Sequence, residues 1–260
     1  MSARHACHRW LVDRTPPDST VESAGIQLDL PAAPDIDRIV ADVVGSHLHD
    51  PERRGLVEGC AAVITSGPPG AGKSHAIEQR ADQLRGYRRI DPDALKDELL
   101  ERFLRQGFLT RLDAYVLPDG RRLTPREVAW CVHAQSVRAA DLIRRECLAR
   151  QENIIIEGTL HWHGIVDQLE RELVDDGQYD NALILNVQAS ESIVQARAEA
   201  RWWNDRTADP LGGRFIHPKI ISTLCAETGG KTHSTRHAVE AARRLAEAGL
   251  DVELETMTAD

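Results

Sequence analysis

SGPPGAGKS, residues 66–74, closes an apolar run and opens a helical pattern, and its reading decides the fold. The run that leads into it, AAVITS (61–66), is short, apolar and β-branched, which is the composition of a buried strand. Gly67, Gly70 and Gly72 allow the backbone after that strand to wrap tightly enough to aim several N–H groups inward. Together with the positive end of the next helix, these amides form an anion cradle running through Gly67, Pro68, Pro69, Gly70, Ala71, Gly72, Lys73, Ser74 and His75. Lys73 is expected to reach the outer phosphates of a nucleotide as a point charge, and the Ser74 hydroxyl to ligate Mg²⁺. Only four of the 32 basic residues are lysines, namely Lys73, Lys96, Lys219 and Lys231, so a lysine at this position is not background.

Working outward, apolar strand patterns alternate with helical ones. A helix is expected over 34–44, the helix of the phosphate loop over 73–85, a strand at YRRID (87–91) and an amphipathic helix over 94–106. YVLPDGRRLT (115–124) reads as a hairpin around Pro118-Asp119-Gly120, followed by a long helix over 125–150. NIIIEGT (153–159), NALILNV (181–187) and DVELET (251–256) read as strands, with helices near 163–175, 191–206, 217–228 and 234–248. Such alternation predicts an α/β fold, a P-loop kinase-like, mostly parallel sheet with helices on both faces. Residues 1–34 read as an irregular leader. The domain division expected is 1–55 as leader and helix packed on the core, and 56–260 as the kinase-like domain.

Composition narrows the partners. A net charge of -9 argues against a polynucleotide, because neutralising phosphates takes a clustered excess of cations. Arg85, Arg88, Arg89, Arg102, Arg105 and Arg111 leave a local basic groove open, with solvated helix faces as the simpler reading. Five scattered cysteines without a C-x-x-C pair suit a reducing cytoplasm. No apolar stretch approaches signal-peptide or membrane-span length, so a cytoplasmic protein without membrane association is expected. His5, Cys7 and His8 read as frayed N-terminal chain rather than metal ligands.

Phosphoryl transfer requires positioned charge, and the sequence offers each part. Asp91, Asp93 and Glu157 lie at the C-terminal ends of expected strands, the edge where parallel sheets hold ligands. Arg197, Arg201, Arg206 and Arg214 surround the TADPLGG loop (207–213) and read as a lid near 197–214 that closes over a transferred phosphoryl group. An exposed charged helix is the alternative.

The ordered set GPPGAGKS, IDPD, IIIEGTL and the arginine-rich helix and loop resembles the zeta toxin family of bacterial toxin–antitoxin systems over roughly residues 56–225. The resemblance implies an ATP- and Mg²⁺-dependent kinase of the sugar hydroxyl in UDP-N-acetylglucosamine, with an antitoxin protein as a partner to look for. By position, it implies Asp93 as catalytic base, Lys73, Arg201 and Arg214 as catalytic cations, and Asp91 beside Ser74 at the metal. It implies Glu157 and Thr159 on the substrate side, and Asp141 there by spacing alone. HWH (161–163) departs from the pattern, standing where many relatives carry an arginine; Trp162 could stack on a base or sugar, or be buried in a loop. Three readings share part of these features: an antibiotic O-phosphotransferase, a kinase of another nucleotide such as NAD, and an NTP-driven switch ATPase. The switch lacks its usual strand ending in a hydrophobic run into Asp.

Overall fold

The computed structural model describes residues 2–17, 25–50 and 59–259. In chain order it contains α1 (Ala3–Val12), α2 (Ala33–His49), β1 (Ala61–Ser66), α3 (Lys73–Glu78), β2 (Arg88–Ile90), α4 (Pro92–Arg105), α5 (His133–Ala149), β3 (Ile154–Ile156), α6 (Ile165–Glu170), β4 (Asn181–Gln188), α7 (Glu191–Ala208), α8 (Pro218–Cys225), β5 (Glu227–Thr228), β6 (Lys231–Thr232), α9 (His233–Glu247) and β7 (Asp251–Thr258). Two units emerge, each assembled from three separate segments. The first comprises Met1–Val43, Asp93–Ala139 and Gln195–Ser222, and the second Val44–Pro92, Ala140–Val194 and Thr223–Asp260.

The second unit carries a five-stranded sheet of order β2-β3-β1-β4-β7, every neighbour parallel. β1 sits at its centre because it is buried on both faces: Ala62, Val63, Ile64 and Thr65 are each at most 2% exposed. On one face Val63, Ile155, Leu185 and Val187 pack with Ala76 and Ile77 of α3. α9 lies along β7, β4 and β1 and buries Ala238, Ala241 and Leu245. Burying a side chain such as Ile64 or Leu185 contributes about 1.5–3 kcal/mol, so a few such positions are enough to fix which strand lies at the centre. The expected P-loop kinase-like sheet is therefore present.

β2 shows how an edge strand accommodates two consecutive arginines. Successive residues point to opposite faces, so Arg88 and Arg89 part company. Arg88 is 1% exposed, pairs with the Glu152 carboxylate and donates to the His47 carbonyl at 3.0 Å. Arg89 faces the other way, toward Glu157.

The first unit is helical and is organised by ion pairs. Arg206, fully buried at its side chain, donates to Glu127 and to Asp119. Glu127 also accepts from the Trp202 indole at 2.9 Å and caps the turn that begins at Thr124. This network ties α7 to the 115–123 segment, whose tip is the expected turn at Pro118-Asp119-Gly120.

Several local expectations need correction. The leader is not irregular throughout: α1 occupies Ala3–Val12, capped by Ser2, and buries Cys7 and Leu11 against the rest of its unit. That burial also replaces the reading of His5, Cys7 and His8 as frayed chain. Residues 18–24 of the leader and the proposed boundary at 55 lie outside the described residues. The phosphate-loop helix is shorter than 73–85, ending at Glu78 before a series of turns. The helix expected near 217–228 stops at Cys225, because Gly229 and Gly230 turn the chain into the β5–β6 hairpin. None of the six arginines of the candidate groove is an idle cation. Arg85 pairs with Asp82, Arg105 with Glu101 and Arg111 with Asp29, and Arg102 donates to the Asp42 carbonyl. Among the described residues no helix is long and apolar enough to cross a membrane.

Candidate phosphate-binding and acid–arginine sites

β1 delivers the chain into the phosphate loop at the C-terminal edge of the sheet. Gly67 has φ +126°, and a Cβ there would lie 2.0 Å from the Val187 carbonyl oxygen. Gly70 and Gly72 also have positive φ. The loop is thus a conformation only glycine reaches at these positions. Lys73 Nζ donates to the Gly67 and Pro68 carbonyls at 2.8 and 3.0 Å, which draws the ammonium back over the loop. Ala71 is buried and donates its N–H to Pro68, Pro69 is half-buried, and His75 is exposed beside Glu78.

The neighbouring strand ends bring the acids to the same edge. Glu157 follows β3 and pairs with Arg89, whose guanidinium also reaches the Ser74 hydroxyl at 3.4 Å. Burial raises the Glu157 carboxyl above its ordinary pKa, Arg89 opposes this, and the negative charge of Asp91 reinforces it. Lys73 lies within range of the same carboxylate. Ser74, Lys73, Asp91 and Glu157 are therefore one cluster of the second unit. Their donors are a hydroxyl and carboxylates, the hard oxygens that suit Mg²⁺, and the glycine-lined loop beside them has the backbone that phosphates require. Thr159 accepts the Gly67 N–H at its carbonyl and the His161 N–H at its hydroxyl, so it braces the loop from the side. Asp141, on α5, pairs with Arg144, which is itself buried against Glu172.

Within the first unit Asp93 opens α4 and stands in a field of cations. Its carboxylate accepts from Lys96 at 2.9 Å and pairs with Arg214 at 2.7 Å; the Arg214 guanidinium also reaches the Asp93 carbonyl and Asp97. Desolvation would raise the Asp93 carboxyl, but Lys96, Arg214 and, from α7, Arg201 together hold it well below the usual carboxylate range. Arg201 is exposed, as is Arg197 one turn earlier.

The loop between Arg201 and Arg214 is packed rather than free. A Cβ on Gly212 would meet the Thr124 hydroxyl at 2.1 Å and one on Gly213 the Trp202 carbonyl at 1.8 Å. Arg126 clamps it further, binding Asp209, the Gly212 carbonyl and Asp97. Arg206 belongs to the core network described above, so its expected role as a lid cation is replaced by a structural one. Trp162 is 61% exposed, which removes the buried-loop alternative. Lys96, Asp97, Arg126 and Arg89 escaped sequence reasoning. For Lys96 a signal existed, since it is one of four lysines and lies three residues after Asp93 on one helix face.

A family model described as zeta toxin matches residues 58–245, most of the chain. The chain belongs to the zeta toxin family. It is thus a P-loop protein of the toxin and kinase type, which agrees with the phosphate loop just described. No curated protein sequence matches it. Among solved structures it is similar to one from the PezAT chromosomal toxin–antitoxin system of Streptococcus pneumoniae, at 14% identity and TM-score 0.53, covering 89% of this chain and 80% of that one. It is also similar to the native AvrRxo1-ORF1:-ORF2 complex, at 11% identity and TM-score 0.53, covering 90% and 71%. A structure of AvrRxo1-ORF1:-ORF2 with ATP follows at 12% identity and TM-score 0.52, covering 85% and 62%. At these identities the likeness is one of fold.

Proposed function

We propose that this zeta toxin family member is an ATP- and Mg²⁺-dependent kinase that phosphorylates a sugar hydroxyl of UDP-N-acetylglucosamine, and that an antitoxin protein restrains it. The observation that carries the reading is the state of Asp93. A carboxylate held ionised by Lys96 and Arg214, two residues beyond Asp91 in the chain, suits an acceptor hydroxyl better than a hydrolytic switch.

Gly67 to Ser74 would hold the phosphates through loop amides and Lys73. Ser74 and Asp91 would hold Mg²⁺, which when bound neutralises charge on the phosphates. Asp93 would accept the hydrogen bond of the acceptor hydroxyl and orient its oxygen for attack on the γ-phosphoryl group, the bond to that oxygen forming as the bond to ADP breaks. A carboxylate so stabilised is a weak base, so it orients the hydroxyl and the proton passes on to solvent. That suffices where the transition state is loose and catalysis is mainly positioning. Arg214 fixes Asp93, and Arg201 supplies positive charge for the transferred group. Glu157 and Thr159 would stand on the acceptor side, and Asp141 would join them there. Retention of a phosphorylated product from UDP-N-acetylglucosamine, ATP and the protein, identified by mass spectrometry, is the expected result. Transfer to NAD or to an aminoglycoside instead would replace the acceptor, and ATP hydrolysis with no phosphorylated product would replace the kinase.

A further inference from the structure

The HWH segment that departs from the family pattern stands opposite two further histidines at the start of α9. His233 and His237 are four residues apart, the spacing that puts two imidazoles on one helix face. His163 meets both edge-on, with ring centroids 5.3 Å and 5.8 Å away. One nitrogen from each of the three rings lies within 4.8 Å of the others. All three residues belong to the second unit.

Two details point to a ligand rather than to chance. His237 Nδ1 lies 2.7 Å from the Leu160 carbonyl, which can only accept, so in the neutral ring Nδ1 carries the proton and Nε2 has the lone pair. A backbone carbonyl in this place is the usual support of a metal-binding imidazole. His161, whose ring lies 5.2 Å from that of His233, has a buried Nδ1 with no hydrogen-bond partner. The turn that gathers these groups costs conformational energy: Leu160 has φ +49°, seldom adopted by a bulky side chain. Arg236 donates to His233 and would have to release one of its nitrogens.

We propose that His163, His233 and His237 form a binding site for a divalent transition metal, with His161 beside the fourth position. Three imidazoles without a carboxylate select Zn²⁺, Ni²⁺, Co²⁺ or Cu²⁺ over Mg²⁺, so the site is chemically separate from the one at Ser74. Zn–N bonds of about 2.0–2.1 Å put tetrahedral ligand nitrogens roughly 3.4 Å apart, so nitrogens within 4.8 Å of one another must close by at most about 1.4 Å, within reach of side-chain rotation. The metal would clasp the 160–164 turn to α9. Both anchors touch the phosphate loop's entry, since Thr159 accepts the Gly67 N–H and the Ser234 carbonyl accepts from Ser66. Occupancy would therefore stiffen the wall from which that loop departs.

The test is titration of untagged, metal-stripped full-length protein with Zn²⁺ against a chromophoric chelator, with Co²⁺ absorption as a report on ligand type. The expected result is one equivalent bound at micromolar affinity or better, a Co²⁺ spectrum of nitrogen ligands without a thiolate band, and a higher melting temperature with Zn²⁺. His163→Ala, at an exposed position, should weaken binding by at least about tenfold while leaving the metal-free melting temperature unchanged. Loss of affinity in His163→Ala and in His233→Ala/His237→Ala supports the site. Millimolar binding by the wild type, a thiolate band, or equal affinity in the variants overturns it.

Discussion

Asp93 is where a single side chain has most to reveal. Its pKa is depressed in the folded chain, so the ion pairs with Lys96 and Arg214 stabilise the fold above the ordinary aspartate value and are lost only as pH falls through the lower folded value. Turnover should then stay free of an Asp93 titration from about pH 5 upward, given an unperturbed value of about 3.9. Lys96→Met removes one cation and should move an acid limb of kcat upward into the measurable range. A wild-type acid limb near the ordinary value, unmoved by Lys96→Met, would show that the cations do not act on this carboxylate. Asp93→Asn should lower kcat by about 10²-fold, the scale of lost positioning, with ATP affinity nearly intact, measured by turnover alongside nucleotide binding. Arg214 differs from Arg201 in its contacts. Its guanidinium divides between Asp93 and Asp97, so Arg214→Lys, which keeps the charge but loses the planar fork, should recover only part of what Arg214→Ala loses. Arg201, exposed on α7, should tolerate lysine better. Equal rescue at both positions would remove the distinction.

At the scale of the element, the buried network of Arg206, Glu127 and Asp119 holds α7 against the 115–123 segment. Burial raises the Glu127 carboxyl even with Arg206 alongside, so this ion pair is costly to form and costlier to break. Arg206→Ala should destabilise by about 3–5 kcal/mol, because two carboxylates are left buried without their cation. Chemical denaturation reads this directly; a change under 1 kcal/mol would contradict the burial. The phosphate loop makes a separate prediction. Gly67→Ala puts a methyl into the Val187 carbonyl at a φ of +126° and should weaken nucleotide binding by more than about tenfold, or about 1.4 kcal/mol. Strands β1, β3 and β4 were readable in advance, since each is a run of apolar, largely branched residues ending at a glycine or polar group. α1 was not, because ARHACHRW has little apolar pattern and its helix depends on the Ser2 cap and on the burial of Cys7 and Leu11. Nor was the role of Arg206: its partners lie 79 and 87 residues away, and an arginine on a helix carries no local mark of burial.

For the molecule as a whole, the kinase reading predicts a phenotype. Induced in bacteria, the wild type should arrest growth, whereas Lys73→Ala and Asp93→Asn should be tolerated at equal abundance by immunoblot. Harmless expression of an enzyme active in vitro would favour a metabolic or resistance role. The candidate site was visible in sequence as far as its individual parts: Lys73, Ser74, Asp91 and Glu157 do gather at one sheet edge, as parallel topology demands. What sequence could not supply was the company each keeps. Asp93 is legible without Lys96 and Arg214 as its fixed neighbours, and glycines in the loop over 207–213 permit motion as readily as they permit close packing. Gly212 and Gly213 serve the second purpose.

The interleaving of the two units has a consequence for how the chain comes into being. The second unit begins near Val44 yet is completed only by α9 and β7, and the first waits for Ser222. A growing polypeptide therefore carries its phosphate loop long before it possesses the helix that receives Ser66 or the strand that closes β4's free edge. The last residue of the first unit is made before α9 and β7, so the sheet of the second unit is the last part of the chain to be completed. A premature stop between β4 and α9 leaves an unfinished sheet, with β4 open to pairing with another chain. Such a product is a substrate for proteases rather than a smaller working enzyme.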